Sequence, residues 1–513
     1  MASRLTYTTG SRSAELDRAF EAALADARER DAEALAHLVG GHDVLGGDVF
    51  EREDPSRHEH VASRAHEGSE LVSEALVSAR AAQREWRRLP HGERLTLLRA
   101  TERLIEERKL ELAAAISMEV GKIRAESIAE VEEAIDLIET YCRQVESAEG
   151  FETPLGQLSP DERNVDVLRP YGVFGVIAPF NFPLALGFGM TAAALAAGNA
   201  VILKPPEEAP RSGGAVARLL AEAGVPDSVI SLVHGGPQTG EALVGAGVDG
   251  VAFTGSAEVG REIGRRMSEG PFPRPVLAEM GGKNPAIVGA SADLDVAAEG
   301  IAKAAFGFSG QKCSACSRAI VVDGAHDELV ERLAAIAATY DVGDPADPGV
   351  ATGPVVNAQA VDRFERSVET ARRDGAVVAG GSRGDDAGWF VEPTVVAGLA
   401  QGHPLIRDEL FLPFLTVVRV LDFDAALVEA NAVPYGLTAG VFSRDDDELD
   451  RFLDEIEAGV VYVNRRAGAT TGAWPGIQSF CGWKSSGLTG KGGLGPYYVQ
   501  QFAREQSRTI VES

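Results

Sequence analysis

Cysteine, lysine and aromatic side chains are all scarce in this chain. Among 513 residues there are four cysteines and eight lysines, and aromatics make up 6%. The four thiols (Cys142, Cys313, Cys316, Cys481) are too few and too scattered for a disulfide framework. With so little lysine, 49 basic residues face 77 acidic ones, and the formal net charge is −28. A surface this negative repels nucleic acid and anionic lipid, so neither is an expected partner. It fits plain solubility, or more sharply a halophilic cytoplasm in which salt screens the self-repulsion. No apolar run approaches the length that spans a bilayer, and Met1-Ala2-Ser3-Arg4-Leu5-Thr6-Tyr7 lacks the hydrophobic stretch of a signal peptide. The expected location is cytoplasmic. The nine histidines show no zinc spacing, so no metal is expected, and His58 and His60 sit among charged neighbours that point to solvation.

The composition is that of a globular protein, 45% apolar and 25% charged, too long for one core and expected to divide into two or three domains. Apolar residues at helical spacing (Leu16, Phe20, Ala23, Leu24, Leu35, Leu38) predict a helix over 14–40. The polar segment 51–66 predicts irregular structure. Residues 69–142 return to a helical pattern broken near Leu89-Pro90 and at Gly121, which makes an all-helical lead-in. From 173 onward short continuous apolar strands (173–178, 200–204, 229–233, 250–254) alternate with helices (186–197, 211–223, 238–246). Strands apolar on both faces, separated by helices, argue a doubly wound parallel sheet. A second such series starts near Glu279. Between lead-in and sheet, Pro154, Gly156 and Pro160 precede the alternating run Asn164–Leu168, which fits a protruding β-hairpin or a surface loop. The tail beyond Leu488 would partner such an arm in a dimer.

Two segments carry the chemistry. Gly310-Gln311-Lys312-Cys313-Ser314-Ala315-Cys316-Ser317-Arg318 holds a thiol, and Leu277-Ala278-Glu279-Met280-Gly281-Gly282-Lys283 holds a carboxylate 34 residues upstream of it. A thiol nucleophile with a carboxylate base is the pair that oxidises an aldehyde through a thioester. Separately each is weak, since a cysteine is commonly a small core residue, Cys-x-x-Cys can be a redox pair, and Glu before Gly-Gly commonly precedes a turn. The paired spacing resembles the aldehyde dehydrogenase superfamily, from about Asp54 to about Gly493.

That resemblance implies an α/β fold of two doubly wound domains, a Rossmann-type cofactor domain and a catalytic domain, with a β-hairpin oligomerisation arm. The expected boundaries are 1–145 and 166–278 for the NAD-binding domain, 279–487 for the catalytic domain, and 146–165 with 488–513 for arm and tail. It implies Cys313 as nucleophile, Glu279 as base, and Asn181 (in Pro179-Phe180-Asn181-Phe182-Pro183) as an oxyanion donor beside the Cys313 N–H. A thiolate at Cys313 calls for a pKa lowered near the cofactor's positive nicotinamide. For the cofactor it implies Lys204 and Glu207 on the adenosine ribose, and Gly236, Gly240, Gly255, Ser256 and Gly260 along the phosphates. Glu409 would hold the nicotinamide ribose, with Phe180 and Phe411 packed alongside. A carboxylate at Glu207 would repel a 2′-phosphate, so NAD is favoured and NADP is the less favoured option. Here Leu412-Pro413 stands where most relatives have Gly-Pro.

The cysteine segment, with Asn464-Arg465-Arg466, Thr471-Gly472-Ala473 and Phe480, looks like the 1-pyrroline-5-carboxylate dehydrogenase branch. The resemblance then implies NAD-dependent oxidation of L-glutamate γ-semialdehyde in proline catabolism. Ser314, Gly472 and Ala473 would receive the α-carboxylate, and Phe182 and Phe480 would sandwich the aliphatic chain. A homodimer or higher homo-oligomer is expected, with a separate proline dehydrogenase upstream. Ser479 and Cys481 depart from the branch, which has Pro and Gly there. The alternative is a dehydrogenase of succinic or 2-oxoglutaric semialdehyde, gripping its carboxylate with Arg465 or Arg466. A non-catalytic structural relative is the third reading.

Overall fold

The computed structural model describes residues 5–8, 13–29 and 33–511. Its frame is two seven-stranded sheets. In the first, the strands run in the order Val276–Met280, Gly250–Gly255, Val173–Ile177, Ala200–Lys204, Ile230–Leu232, His37–Val39 and His42–Val44. The first five are parallel, and the last two close the edge antiparallel. In the second the order is Ala376–Ala379, Thr394–Ala397, Phe414–Val420, Cys316–Val322, Asn284–Val288, Thr438–Phe442 and Val460–Val463, parallel except for the first strand.

Both sheets are covered on both faces, which is why their central strands carry apolar residues on both sides. Val201 and Leu203 enter one core cluster while Ala200 and Ile202 enter another. Ile287 and Ile320 likewise face one cluster, and Ala286, Val288, Ala319 and Val321 the opposite one. Doubly wound topology places ligands at the carboxyl ends of the parallel strands. The strands ending at Ile177, Lys204, Gly255 and Met280 all end toward one cleft.

The lead-in differs from the sequence expectation. The first helix is Ala14–Glu29, and Leu35 and Leu38 lie in the strands Ala34–Leu35 and His37–Val39. Residues 30–32, inside the expected helix, fall outside the described residues. Apolar spacing alone does not separate one long helix from a helix followed by short strands. The polar segment 51–66 is a β-hairpin, Val49–Asp54 against Arg57–His66. His58 is not solvated: its ring stacks on Trp389 with centroids 4.4 Å apart. The run from Ser69 is helical as expected, in the helices Val72–Trp86, His91–Glu107, Lys109–Val120 and Arg124–Ser147.

The segment expected as a hairpin or loop forms a three-stranded antiparallel sheet, in which Glu162–Pro170 pairs with Glu152–Pro154 on one side and Ala503–Val511 on the other. The middle strand therefore runs past the expected boundary at residue 165. Leu155 and Leu158 at its tip are exposed.

One buried carboxylate ties lead-in to sheet. The helix Pro210–Glu222 begins at Ala209, which has no side chain to cap it. Glu119, fully buried, does this from another helix: Oε1 accepts from Arg211 N and Ser63 Oγ, and Oε2 from Ser212 N and Ser212 Oγ, all at 2.6–2.8 Å. Glu119→Ala should destabilise the protein by roughly 3 kcal/mol, since it leaves buried donors unpaired. Glu119→Gln, which keeps one acceptor oxygen, should lose less. Thermal midpoints of the two variants check this, and equal losses would contradict it.

Candidate active site

Two cavities meet at Cys313. The larger, about 710 Å³, lies along the carboxyl edge of the first sheet, and the smaller, about 350 Å³, opens on the other side of the thiol. Among the described residues, only Cys313 and Thr254 line both.

The loop carrying Cys313 is held from every side. Asn284 Nδ2 donates to Cys313 O at 2.7 Å and Ala315 O at 2.9 Å. Gln311 is pinned by Val356 N on its Oε1 at 2.8 Å and by Asn181 Nδ2 on its carbonyl at 3.0 Å. Phe308, Ser309 and Gly310 all have left-handed backbone, with φ of 48°, 50° and 68°. At Gly310 a Cβ would lie 2.1 Å from Leu412 O, so only glycine fits there. The departure Leu412-Pro413 is thus part of the loop's bed, with Leu412 buried. Behind the loop, buried Arg318 donates to Lys283 O, Glu429 O and Ala430 O at 2.9–3.0 Å. Cys316 turns away from the site, its Sγ 3.6 Å from Arg318 O, and all four cysteines are free.

Electrostatically the junction is adverse to charge. Burial pushes the Cys313 thiol up to about 12, and the Glu409 and Glu279 carboxylates add to this. This chain's own groups raise the thiol pKa, so the lowering expected beside a positive nicotinamide falls to the cofactor. Burial likewise raises Glu279 to about 8, opposed only by the Gly493 N–H, which donates to Oε1 at 3.3 Å. Glu279 Oε2 is shut off from solvent and has no hydrogen-bond partner. It belongs to the lining of the smaller cavity, as Cys313 does.

The larger cleft collects most of the residues expected for a dinucleotide. Phe180, Asn181, Lys204, Glu207, Gly236, Gly240, Gly255, Ser256, Glu409 and Phe411 all line it. Its ends are polar: Lys204 Nζ has one hydrogen bond, to Pro205 O at 3.1 Å, and Glu409 accepts from Gly282 N at 2.9 Å. Burial raises Glu409 to about 7. Close approach is built in, since a Cβ on Gly236 would sit 2.3 Å from Glu207 Oε2. Between the ends, Ser256 caps the helix Ala257–Ser268 by accepting from Val259 N at 3.3 Å, and the first turn of that helix lines the cleft. Hydroxyl-binding groups at both ends and a helix N-terminus between them fit a dinucleotide. Gly260 lets the helix pack closely on the sheet, since a Cβ there would lie 2.3 Å from Met280 Sδ.

The smaller cavity gathers Ser314, Gly472, Ala473, Phe182 and Phe480. Gly472 has φ of 93°, and its backbone reaches the cavity only in that left-handed turn. Arg465 does not enter: Nη1 donates to Thr471 O at 2.5 Å and Nη2 to Gly472 O at 3.2 Å, shaping the loop. Arg466 pairs with Glu299 on the surface at 3.2 Å. Sequence reasoning missed Tyr7, Glu126, Glu133 and Lys312, which also line this cavity. They lie on the lead-in and beside the thiol, and only the fold brings them together.

The sequence model of the aldehyde dehydrogenase family matches residues 45–507. At 36% identity over 483 residues, 93% of this chain and 92% of the relative, the chain is similar to a Geobacillus thermodenitrificans (strain NG80-2) protein named 1-pyrroline-5-carboxylate dehydrogenase. It superposes on 1-pyrroline-5-carboxylate dehydrogenase from Thermus with bound NAD at a TM-score of 0.94 and 35% identity, covering 100% of this chain and 99% of that one. Proline utilization A from Bdellovibrio bacteriovorus matches 97% of this chain at a TM-score of 0.93 and 34% identity. The chain spans 52% of that longer protein.

A carboxyl held neutral by burial makes stability depend on pH. Glu279 rises from 4.5 to about 8 on folding, so the folded form binds the extra proton between those values. The stability this contributes is complete below 4.5 and is lost as pH rises through 8. Relative to Glu279→Gln, the wild type should therefore lose thermal midpoint progressively over that window. Calorimetry of both proteins from pH 5 to 9 checks this, and parallel curves would contradict the buried neutral carboxyl.

Proposed function

The chain belongs to the aldehyde dehydrogenase family, and from that premise we propose that it oxidises L-glutamate γ-semialdehyde to L-glutamate with NAD, in proline catabolism. The observation that carries this reading is one thiol lining both a dinucleotide-sized cleft and a small cavity, which Glu279, with an unpartnered carboxyl oxygen, also lines.

In this reading Cys313 Sγ adds to the aldehyde carbon and gives up its proton. Charge on the carbonyl oxygen is taken up by the Cys313 N–H and by the Asn181 amide, which has one N–H left after Gln311 O. When bound, NAD supplies what the chain lacks at this point, a positive ring beside the thiol and an acceptor for the hydride. Lys204 and Glu207 would hold its adenosine ribose, Gly236, Gly240, Gly255 and Ser256 would flank the phosphates, and Glu409 would hold the other ribose between Phe180 and Phe411. Glu279 Oε2 then removes a proton from the water that attacks the thioester. The C–S bond breaks, the acid leaves and Cys313 is restored.

Ser314 Oγ with the N–H groups of Gly472 and Ala473 would receive the α-carboxylate, and Phe182 and Phe480 would flank the chain. What favours this over an arginine-gripped semialdehyde is that among the described residues no arginine lines the smaller cavity, Arg465 being spent on its own loop. Glu207 favours NAD over NADP by repelling a 2′-phosphate. The domain boundaries, with 279–487 as the catalytic domain, belong to the same proposal. So do a cytoplasmic, salt-adapted homo-oligomer and a proline dehydrogenase that supplies the substrate. The net charge of −28 supports the salt adaptation, and the exposed Leu158, in the loop between two strands of the three-stranded sheet, supports the oligomer.

A panel of semialdehydes with both nicotinamides tests the reading. Glutamate semialdehyde with NAD should give the highest kcat/KM, and a higher value for succinic semialdehyde would replace it with the alternative. Ser314→Ala should weaken glutamate semialdehyde by roughly 1.5–3 kcal/mol, a hydrogen bond to a charged group, and barely affect an uncharged aldehyde of similar length. Equal losses for both would remove the carboxylate anchor.

A further inference from the structure

The far end of the smaller cavity is closed by the chain's N-terminal segment. Tyr7 lines that cavity together with Phe182 and Glu133. Its ring stands edge-on to Phe182, with centroids 5.6 Å apart at 82°, and to Trp474, 5.6 Å apart at 64°. Its hydroxyl donates to Glu133 Oε2 at 2.6 Å. Lys312 Nζ lies 5.6 Å from the ring centroid and also pairs with Glu126 at 2.6 Å. Next to it, Thr8 lies against the turn at Gly472, where a Cβ would come 2.6 Å from Thr8 Cγ2, and accepts from Arg465 Nη2 at 3.5 Å. These six contacts, four by Tyr7 and two by Thr8, seat Tyr7 in the cavity wall and Thr8 against the neighbouring turn.

We infer that Tyr7 is a specificity-determining residue: its ring sets the depth of the aldehyde cavity, and its hydroxyl holds the Glu133 carboxylate at the closed end. The inference rests on the aldehyde-oxidising reading above but not on which semialdehyde is preferred. A ring wedged between Phe182 and Trp474 excludes alkyl chains longer than the cavity. A carboxylate fixed by the phenol offers its other oxygen to a cationic or hydrogen-bond-donating head group at the depth where a short substrate ends. Tyr7 touches neither Cys313 nor the dinucleotide cleft, so its effect should fall on aldehyde binding.

The test is steady-state kinetics of Tyr7→Ala and Tyr7→Phe on the full chain, with straight-chain aldehydes of three to eight carbons beside glutamate semialdehyde. Tyr7→Ala should shift the length profile toward longer aldehydes by roughly tenfold in kcat/KM. It should also raise KM for the charged substrate, with KM for NAD unchanged. Tyr7→Phe keeps the ring, so the length profile should stay while KM for the charged substrate rises. An unchanged length profile in Tyr7→Ala overturns the inference, and so does a loss that falls on NAD and aldehydes alike. Because the length profile uses uncharged aldehydes, a wild type that prefers succinic semialdehyde would sink the substrate reading alone. A wild type that oxidises no aldehyde would sink the reading beneath both.

Discussion

Burial that outweighs every nearby counter-charge governs the reactive junction of this molecule. Cys313, Glu279 and Glu409 stand around one junction, and Glu133 stands a little way off. Burial is the first cause of the raised pKa in each, and among the described residues none of the three carboxyls is in an ion pair. A chain with 77 acidic side chains could have solvated all of them. Instead it holds these few in cavities where the neutral form is favoured, which is the condition under which a carboxyl serves as a base near neutral pH. The deficit of positive charge at the thiol complements a cationic ring in the larger cleft.

Keeping such groups out of water requires a frame that does not relax. The cysteine loop cannot swing toward solvent because Asn284, Gln311 and Arg318 hold its carbonyls and flanks, and Gly310 lies against Leu412 O. On the other wall Glu119 caps a helix that has no cap of its own. Lys122 and Glu130, both fully buried, pair at 2.5 Å just beneath Phe182, with Lys122 Nζ 3.6 Å from its ring centroid. These polar groups hold the apolar walls in register, so the cavity shape is as much a product of hydrogen bonding as of packing.

Much of this was legible in order along the chain. The strands at 173, 200, 250 and 285 stand out because burial on both faces leaves no polar alternation. Cys313 and Glu279 stand out because glycines and a fixed spacing surround them. What was not legible depends on tertiary contact. Leu35 and Leu38 match a helical stripe but pair as strands at a sheet edge. His58 is polar by its neighbours and half-buried, stacked on Trp389. Gly260 belongs to a phosphate-binding turn by sequence, and its close packing against Met280 is set by the fold. The thiol's pKa depends on Glu409, nearly a hundred residues away, and no local pattern reports it. Tyr7 is separated from Glu133 by 126 positions.

The most direct test of the buried base is the pH dependence of NADH formation in the wild type and Glu279→Gln, followed through the first turnover and into the steady state. The wild-type steady state should rise as pH passes through about 8, where Glu279 ionises. Glu279→Gln should release a burst of about one NADH per site, then run slowly with that rise gone. A variant that keeps the rise, or is slow without a burst, would show that the thioester is opened by some other base.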